Sequence, residues 1–278
     1  MYPYKIFGIL TLYDILLSVG IVLGIMVFGY LADKQKIKGK LQRFTLICAC
    51  AAIATGLGSA VLFQAIYNID REGGFVIDTG TGATFYGGLI GGFTSFLILY
   101  FIVGYFFYKK DEDPKYHIKK FFSTISCAAP SIALAHGFGR LGCLTAGCCH
   151  GAQTDAWYGI LMYGGEGYAK YVPTQLFEAL FLFALFAFLF LNIKKGGKYN
   201  LSFYMGAYGI WRFVLEYVRN DYRGSVGISF LTPSQLISLV MIMGAAAIFT
   251  VETLVSRKLE EKEKSTAVEE ASKDKEIN

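Results

Sequence analysis

The stretch AHGFGRLGCLTAGCCHG, residues 135–151, concentrates polar chemistry at the end of an apolar segment. It holds one arginine, two of the chain's three histidines and three of its six cysteines. On a helix, His136, Arg140 and Cys143 recur at i, i+4 and i+7 and therefore share one face. Three glycines interleave with them: Gly137, Gly139 and Gly142. We expect these glycines to let the helix open into a turn around an anion.

A second polar stripe lies in the apolar segment YGIWRFVLEYVR. Its members recur at i, i+4, i+8 and i+11 of one helix: Tyr208, Arg212, Glu216 and Arg219. Charge at membrane depth is costly, and a guanidinium holds phosphate through a bidentate fork, so two arginine stripes predict a phosphate ligand. The alternative is structural: arginines that reach the headgroups, and an ion pair between Arg212 and Glu216.

The cysteines of the first stretch admit three interpretations. A zinc site of three cysteines and His150 is disfavoured, because C-x4-C-C-H lacks the C-x2-C spacing of zinc sites, and we expect no metal ion. A covalent thiol catalyst would need Cys148 or Cys149 to be activated by a histidine. The favoured interpretation is a disulfide from Cys143 or simple packing. The remaining cysteines look like ordinary small helix residues: Cys48, Cys50 and Cys127.

Two further carboxylates, Asp14 and Glu178, also lie in apolar segments. We expect each to be a partner in a helix-end or interhelical hydrogen bond more than a catalyst. Another apolar segment begins with TFYGGLIGG, a small-residue surface that lets helices pack closely, with Tyr86 at its outer end.

The chain that positions these residues is strongly apolar: 278 residues, 54% hydrophobic, 16% aromatic, with a mean hydropathy of +0.46. That composition excludes an ordinary soluble domain. Seven apolar segments could each cross about 30 Å of hydrocarbon as a helix: 7–31, 44–67, 83–108, 122–145, 174–193, 200–218 and 234–255. Strand-length alternation is missing. We predict an all-α, polytopic membrane protein with seven transmembrane helices.

The loop charges predict the orientation, because lysine and arginine near span ends are retained in the cytoplasm. Alternate loops are basic: Lys34, Lys36, Lys38, Lys40 and Arg43; Lys109, Lys110, Lys115, Lys119 and Lys120; Lys194, Lys195 and Lys198. The N-terminus is therefore expected outside and the C-terminus in the cytoplasm. The net charge of +5 follows from this asymmetry and needs no nucleic-acid partner. We expect residues 1–256 to form one membrane domain and 257–278 a charged cytoplasmic tail, disordered or a short helix.

These residues give the chain a resemblance to the prolipoprotein diacylglyceryl transferase family. The family signature Gly-Arg-(Ile/Leu)-Gly-Asn-Phe-Ile-Asn-Gly-Glu, followed by a spacer and Gly, resembles the stretch from Gly139 to Gly151. Four more blocks resemble family blocks in the same order: FYGGLIGG, PTQLFEAL, YGIWRFVLEYVR and LTPSQLISL. The family's seven-helix, N-outside topology agrees with the one predicted from the loops.

The resemblance implies a transferase that moves the diacylglyceryl group of phosphatidylglycerol to a prolipoprotein cysteine and releases glycerol phosphate. It implies catalytic roles for Arg140 and Arg212, which would hold the phosphate. The residues it places around the substrate are Tyr208, Glu216, Arg219, Gly139, Gly142, Cys143, Cys148 and Gly151. No cofactor is implied.

The chain departs from the family pattern where the acceptor would be handled. Tyr86 replaces a histidine, Cys143 and Ala146 replace two asparagines, and Cys148 replaces a glutamate. We therefore expect His136 or Tyr86 to accept the acceptor's proton. The cysteines are expected to support the local shape.

The expected location is the plasma membrane of a bacterium, with the active site toward the outer leaflet. Two alternatives stay open. One is a related transferase with another acceptor and a covalent intermediate on Cys148 or Cys149; the other is a transport or binding protein for anionic lipids, without chemistry.

Overall fold

The structure, a computed structural model, describes residues 6, 10–72, 85–163, 167–219 and 231–277, with side chains for all of these except 67–72, 85–86 and 259–277. The helices in these ranges are α1 (Leu12–Lys34), α2 (Gly39–Glu72), α3 (Phe85–Ile98), α4 (Gly104–Tyr108), α5 (Tyr116–Lys119), α6 (Phe121–Ala146), α7 (Thr174–Lys194), α8 (Asn200–Leu215) and α9 (Pro233–Ile277). A π-helical turn, Leu99–Val103, joins α3 to α4, and a 3-10 turn, Glu216–Val218, continues α8.

The predicted polytopic helical membrane protein is confirmed in its coarse form. Among the described residues, six helical stretches are long and apolar enough to cross a membrane: Leu12–Lys34, Gly39–Ile66, Gly87–Tyr108, Phe121–Ala146, Thr174–Lys194 and Pro233–Lys258. The predicted sixth span differs, because α8 has only 16 residues before the 3-10 turn. At about 1.5 Å per residue it spans about 24 Å, less than the hydrocarbon thickness of about 30 Å. The count of seven spans and the orientation stay predictions.

The segment between α6 and α7 contains a β-hairpin that the sequence analysis did not predict. Strands β1 (Ile160–Tyr163) and β2 (Tyr168–Tyr171) pair antiparallel, with Ile160 opposite Tyr171 and Tyr163 opposite Tyr168. Each strand has four residues, too few for alternation to stand out from the sequence. The all-α class therefore holds for the membrane helices, and the described part of the chain also has this small hairpin.

The chain divides into two compact units, of which the first comprises Met1–Leu31 and Ile125–Asn278. Its core is a cluster of small, aliphatic and tyrosine side chains from α6, α7 and α8: Ala129, Ala133, Leu182, Leu185, Leu189, Tyr204 and Tyr208. Helix α1 packs against α6 at Gly20 and Gly24. A Cβ at Gly24 would lie 3.0 Å from the Ser131 carbonyl oxygen, so no larger residue fits this contact without a shift.

The second unit is Ala32–Thr124. In it, α2 and α3 approach closely through glycines, because a Cβ at Gly56 would lie 3.0 Å from the carbonyl oxygen of Gly88. The small-residue surface predicted from the TFYGGLIGG block is therefore a helix-packing surface.

Helices α1 and α9 begin with side-chain caps. Thr11 and Asp14 bond reciprocally at the start of α1, since the Thr11 N–H donates to Asp14 and the Asp14 N–H to the Thr11 hydroxyl, at 2.8 and 3.3 Å. Asp14 is therefore a helix-end partner, as expected. Thr232 and Gln235 form the same arrangement at α9, with proline at the first helical position. The backbone of α9 stays helical through the charged residues 257–277.

We predict that Gly209→Ala lowers the thermal stability of the detergent-solubilised chain. Its methyl group would lie 3.0 Å from Ile242 Cγ1 and 3.1 Å from the Ser238 carbonyl oxygen, where α8 meets α9. Overpacking of this kind costs about 1–3 kcal/mol. Gly206→Ala on the same helix is the control, because its methyl would meet only Ala245 Cβ, at 3.6 Å. Thermal unfolding followed by intrinsic fluorescence gives both Tm values; equal values would contradict the close packing of these helices.

Candidate functional site

Glu178 joins three helices of the first unit. It lies one turn into α7 and is fully buried, with 0% of its surface exposed. Its Oε1 accepts a hydrogen bond from the Tyr208 hydroxyl of α8 at 2.6 Å and forms an ion pair with Arg140 Nε of α6 at 3.1 Å. A buried carboxylate is stable only when it is paired in this way. The expectation that Glu178 is an interhelical partner is therefore confirmed.

His136 lies one helical turn before Arg140 and faces the same neighbours. Its Nδ1 is 3.2 Å from the Tyr204 hydroxyl, and its ring meets the Tyr208 ring edge-on at 4.9 Å. The two tyrosine rings stack nearly parallel, 6.0 Å apart. The predicted stripe of His136 and Arg140 thus faces a polar wall built from α7 and α8.

Arg212 and Glu216 form the ion pair that the sequence allowed as a structural alternative, with Nη2 2.7 Å from Oε2. Both are buried, and the start of α9 provides further partners. Arg212 Nη2 donates to Ser234 Oγ at 2.9 Å, and the Thr232 hydroxyl donates to Glu216 Oε1 at 2.9 Å. Within the described ranges, the buried Nη1 of Arg212 has no hydrogen-bond partner. The ion pair therefore fixes the guanidinium but does not use all of its donors.

The second stripe does not continue as one α-helix to Arg219. Helix α8 ends at Leu215, the 3-10 turn follows, and Arg219 has an extended backbone with φ −94° and ψ 145°. The predicted i+11 position is therefore not on the α-helical face of Tyr208 and Arg212. Arg219 is still buried, and its N–H donates to the Glu216 carbonyl oxygen at 3.2 Å.

The glycine-rich part of the first stretch does not open into a turn, contrary to the expectation. Helix α6 continues through Gly139 and Gly142 to Ala146. Gly142 has a packing role, because a Cβ there would lie 2.8 Å from the Tyr13 ring of α1. The chain turns later, where Gly147 has φ +75°.

The turn after α6 brings three thiols together. Cys149 has φ +64°, rare for a residue with a side chain, and the Cys148 N–H donates to the Cys143 carbonyl oxygen at 3.2 Å. The Sγ atoms of Cys143, Cys148 and Cys149 all lie within 4.8 Å of one another, which makes them the candidate metal ligands among the described residues. His150 does not join them, because its ring packs on Tyr171 with centroids 4.0 Å apart.

The first turn of α7 holds this cysteine turn by its main chain. Thr174 Oγ1 donates to the Cys149 carbonyl oxygen at 2.9 Å, and Gln175 Nε2 donates to the Cys148 carbonyl oxygen at 2.5 Å. Gly151 packs behind the turn, where a Cβ would lie 2.8 Å from the Val218 carbonyl oxygen. Its position therefore requires glycine for space.

The structure narrows the interpretations of the cysteines. None of the six cysteines, all of which lie in the described ranges, forms a disulfide, so the structure supports packing over a disulfide within the favoured interpretation. The pKa of Cys148, which lies beyond the end of α6, is raised because hydrogen bonds with the thiols of Cys143 and Cys149 favour its protonated form. A nucleophilic cysteine needs a lowered pKa, so these contacts disfavour Cys148 as a covalent catalyst.

Tyr86 belongs to the second unit and its side chain lies outside the described residues, so its role stays a prediction. From the sequence, Glu178 is expected only as a structural partner, and the polar contacts of Thr174, Gln175 and Ser234 are not predicted. The signal was available in part, because polar residues at the start of an apolar span, as in PTQLFEAL, need partners.

Comparison with known proteins finds matches over most of the chain. The family model described as Prolipoprotein diacylglyceryl transferase matches residues 5–251. A protein of Clostridium perfringens (strain 13 / Type A) named phosphatidylglycerol–prolipoprotein diacylglyceryl transferase 2 is 31% identical over 271 residues, 91% of this chain and 96% of the relative. Proteins named phosphatidylglycerol–prolipoprotein diacylglyceryl transferase from Clostridium tetani (strain Massachusetts / E88) and Finegoldia magna (strain ATCC 29328 / DSM 20472 / WAL 2508) are 33% and 31% identical, over 84% and 86% of this chain and 90% of each relative.

We predict that Glu178→Ala destabilises the fold by about 3–5 kcal/mol, because it removes the buried member of the ion pair and leaves the partly buried Arg140 guanidinium without its partner. Replacing both residues, as in Glu178→Leu with Arg140→Met, should recover more than half of that loss, since no unpaired charge remains. The control is Glu112→Ala, an exposed carboxylate in a loop, expected within about 0.5 kcal/mol of the unmodified chain. Denaturant unfolding in detergent micelles measures the free energy of unfolding of the unmodified chain and of the three variants. A Glu178→Ala chain as stable as the control would contradict the role of the pair.

Proposed function

Because this chain belongs to the prolipoprotein diacylglyceryl transferase family, we propose that it transfers the diacylglyceryl group of phosphatidylglycerol to the cysteine thiol of a prolipoprotein. It is a membrane transferase, and glycerol phosphate is the second product. The two bacterial relatives from Clostridium carry the name of this activity and cover most of the chain. Their names give no support to a transporter or to a transferase with another acceptor.

The observation that carries the proposal is a pair of arginines, the buried Arg212 and the partly buried Arg140, each fixed by a carboxylate. Arg140 contacts Glu178 through Nε, and Arg212 contacts Glu216 and Ser234 through Nη2. A guanidinium has five N–H donors, so donors remain on each arginine after these contacts. The carboxylates keep the arginines oriented inside an apolar bundle, and the remaining donors bind the phosphate of the lipid.

The proposed reaction is a displacement at a carbon of the lipid glycerol. The acceptor sulfur attacks the methylene carbon that bears the phosphate ester, a C–S bond forms, and the C–O bond breaks with its electron pair on the leaving glycerol phosphate. Negative charge grows on that phosphate, and Arg140 and Arg212 stabilise it. A preorganised donor of this kind lowers the barrier by about 2.7–4 kcal/mol.

The acceptor's proton goes to His136 or Tyr86 in this proposal. His136 is supported by its place one turn from Arg140 and by its contact with the Tyr204 hydroxyl, which fixes the ring. Tyr86 is supported by its position in the block FYGGLIGG, where the family resemblance has a histidine. The residues around the substrate are proposed to be Tyr208, Glu216, Arg219, Gly139, Gly142, Cys143, Cys148 and Gly151.

The proposed membrane arrangement has seven spans, with the N-terminus outside, the C-terminus in the cytoplasm and the active site in the outer half of the plasma membrane. Support comes from the basic loops and from the burial of α8 residues, because a short helix can complete a bundle when other helices cover it. The lipid donor would then enter sideways from the outer leaflet.

We predict that the purified chain, given phosphatidylglycerol and a peptide with a single cysteine, forms a thioether-linked diacylglyceryl peptide detectable by mass spectrometry. The same peptide with serine should give no thioether product. Arg140→Lys and Arg212→Lys should each lower turnover by about 100- to 1,000-fold, because lysine keeps the charge but loses the planar fork. Arg43→Lys, at an exposed position of α2, is the matched control and should be unchanged.

Two results would count against these assignments. Near-normal turnover of either active-site lysine variant would exclude a bidentate role for that arginine, and absence of any lipid adduct on the cysteine peptide would refute the proposed activity. A variant is confirmed as folded when it elutes from a size-exclusion column at the same volume as the unmodified chain and has the same Tm.

The topology prediction uses epitopes inserted after Lys115 and after Tyr163. In spheroplasts an antibody should bind the epitope after Tyr163 directly and the epitope after Lys115 only once the membrane is permeabilised. Binding to the Lys115 epitope in sealed spheroplasts would reverse the proposed orientation.

A further inference from the structure

We propose that Cys143, Cys148 and Cys149 bind one zinc ion through their three thiolates and leave its fourth coordination position open for the thiol of the acceptor. The metal site rests on the structure of the turn after α6. The role of the open position rests on the proposed function.

The spacing of the three sulfur atoms suits a tetrahedral ion. All three Sγ atoms lie within 4.8 Å of one another. Zinc–sulfur bonds of about 2.3 Å in a tetrahedron place sulfur atoms about 3.8 Å apart. The thiols therefore need to close by at most about 1 Å, which side-chain rotation at Cys143 and Cys148 supplies without moving a helix.

The turn that carries the thiols is built and anchored. Its main-chain carbonyls are held by Thr174 and Gln175 from the first turn of α7. Both of these side chains are buried, at 0% and 1% exposed. Because the anchors hold carbonyl oxygens, they fix the turn without using the sulfur atoms. Positive φ angles at Gly147 and Cys149 complete the reversal that returns the chain toward Cys143.

This site was disfavoured from the sequence because C-x4-C-C-H lacks the usual C-x2-C spacing. The structure supplies the proximity differently, since Cys143 lies in the last turn of α6 and the reversal at Gly147 brings the other two thiols back to it. The packing of His150 on Tyr171 takes away the fourth ligand that the sequence offered. Three protein ligands with one open position are typical of catalytic zinc, whereas structural zinc has four.

An open position here fits the proposed chemistry. Cys143 follows Arg140 by three residues on one helix, which makes the two side chains neighbours on its surface. When zinc binds, the three cysteine thiols lose their protons to solvent, and the acceptor thiol that takes the fourth position as thiolate passes its proton to His136 or Tyr86. Its sulfur then attacks the glycerol carbon, the C–S bond forms, and the C–O electron pair leaves with glycerol phosphate. Zinc would thereby generate the thiolate in a chain where tyrosine stands at the position of the family histidine.

The first experiment measures the metal directly. The full chain, purified in detergent under a phosphine reductant, is stripped with chelator and titrated with Co²⁺ under anaerobic conditions. We expect one cobalt per chain, sulfur-to-cobalt charge-transfer absorption, tetrahedral visible bands and displacement by one equivalent of Zn²⁺. Cys143→Ser, Cys148→Ser and Cys149→Ser should each weaken binding by at least about 100-fold, since even outer-shell partners are worth about 10- to 100-fold. Cys50→Ser, an exposed thiol on α2, is the control and should bind normally.

The second experiment tests the open position. Adding the single-cysteine peptide to the cobalt-loaded chain should increase the charge-transfer absorption, and the serine peptide should not. Absence of charge-transfer bands in the unmodified chain, or an intact mass showing a disulfide within the cluster and no metal, would overturn the metal site. A chain that makes lipidated peptide at full rate after complete metal removal would overturn the zinc proposal and leave the proposed function standing. A chain that binds cobalt and the cysteine peptide but never forms product would refute the function and leave the metal site intact.

Discussion

A carboxylate buried among apolar helices must be paired, and the pairing of Glu178 sets the arrangement of the first unit. Its Oε1 accepts a hydrogen bond from the Tyr208 hydroxyl and lies 3.1 Å from Arg140 Nε. One carboxylate oxygen of the fully buried Glu178 therefore links α6, α7 and α8. Leaving either ion alone at this depth costs several kcal/mol, so these contacts specify which faces of the helices meet. The core cluster of small, aliphatic and tyrosine side chains that includes Leu182 packs the same three helices together.

The same kind of pairing is found at both of the proposed phosphate ligands. Arginines at membrane depth need counter-ions in the resting protein, and both Arg140 and Arg212 have them in adjacent helices or turns. The start of α9 assists Arg212 through Ser234 and Glu216 through Thr232. In the proposed function, the ion pairs and hydrogen bonds that stabilise the bundle also hold both guanidinium planes in position for the phosphate of the lipid.

The cysteine turn depends on this bundle as well. Helix α7 provides Glu178 from its second turn and Thr174 and Gln175 from its first, so the helix that orients Arg140 also holds the carbonyls of Cys148 and Cys149. The proposed phosphate ligand Arg140 and the thiol cluster are thus both held by α7. Such a connection suits a transferase, in which the leaving group and the incoming sulfur must be aligned on opposite sides of one carbon.

The sequence by itself determined the membrane class, most helix positions, the polar stripes and the family resemblance, because hydropathy, charge in loops and helical periodicity are local properties of the chain. It placed His136 and Arg140 on one face, recognised Arg212 with Glu216 as a possible ion pair, and identified Asp14 and Glu178 as structural partners. The sequence did not predict the features that depend on long-range contacts. The end of α8 at Leu215, the short hairpin, the helical continuity through Gly142 and the reversal at Gly147 depend on packing against other segments. Only the tertiary structure could bring the Cys143, Cys148 and Cys149 sulfur atoms within 4.8 Å of one another, because no local rule relates a helix end to a turn that is held by another helix.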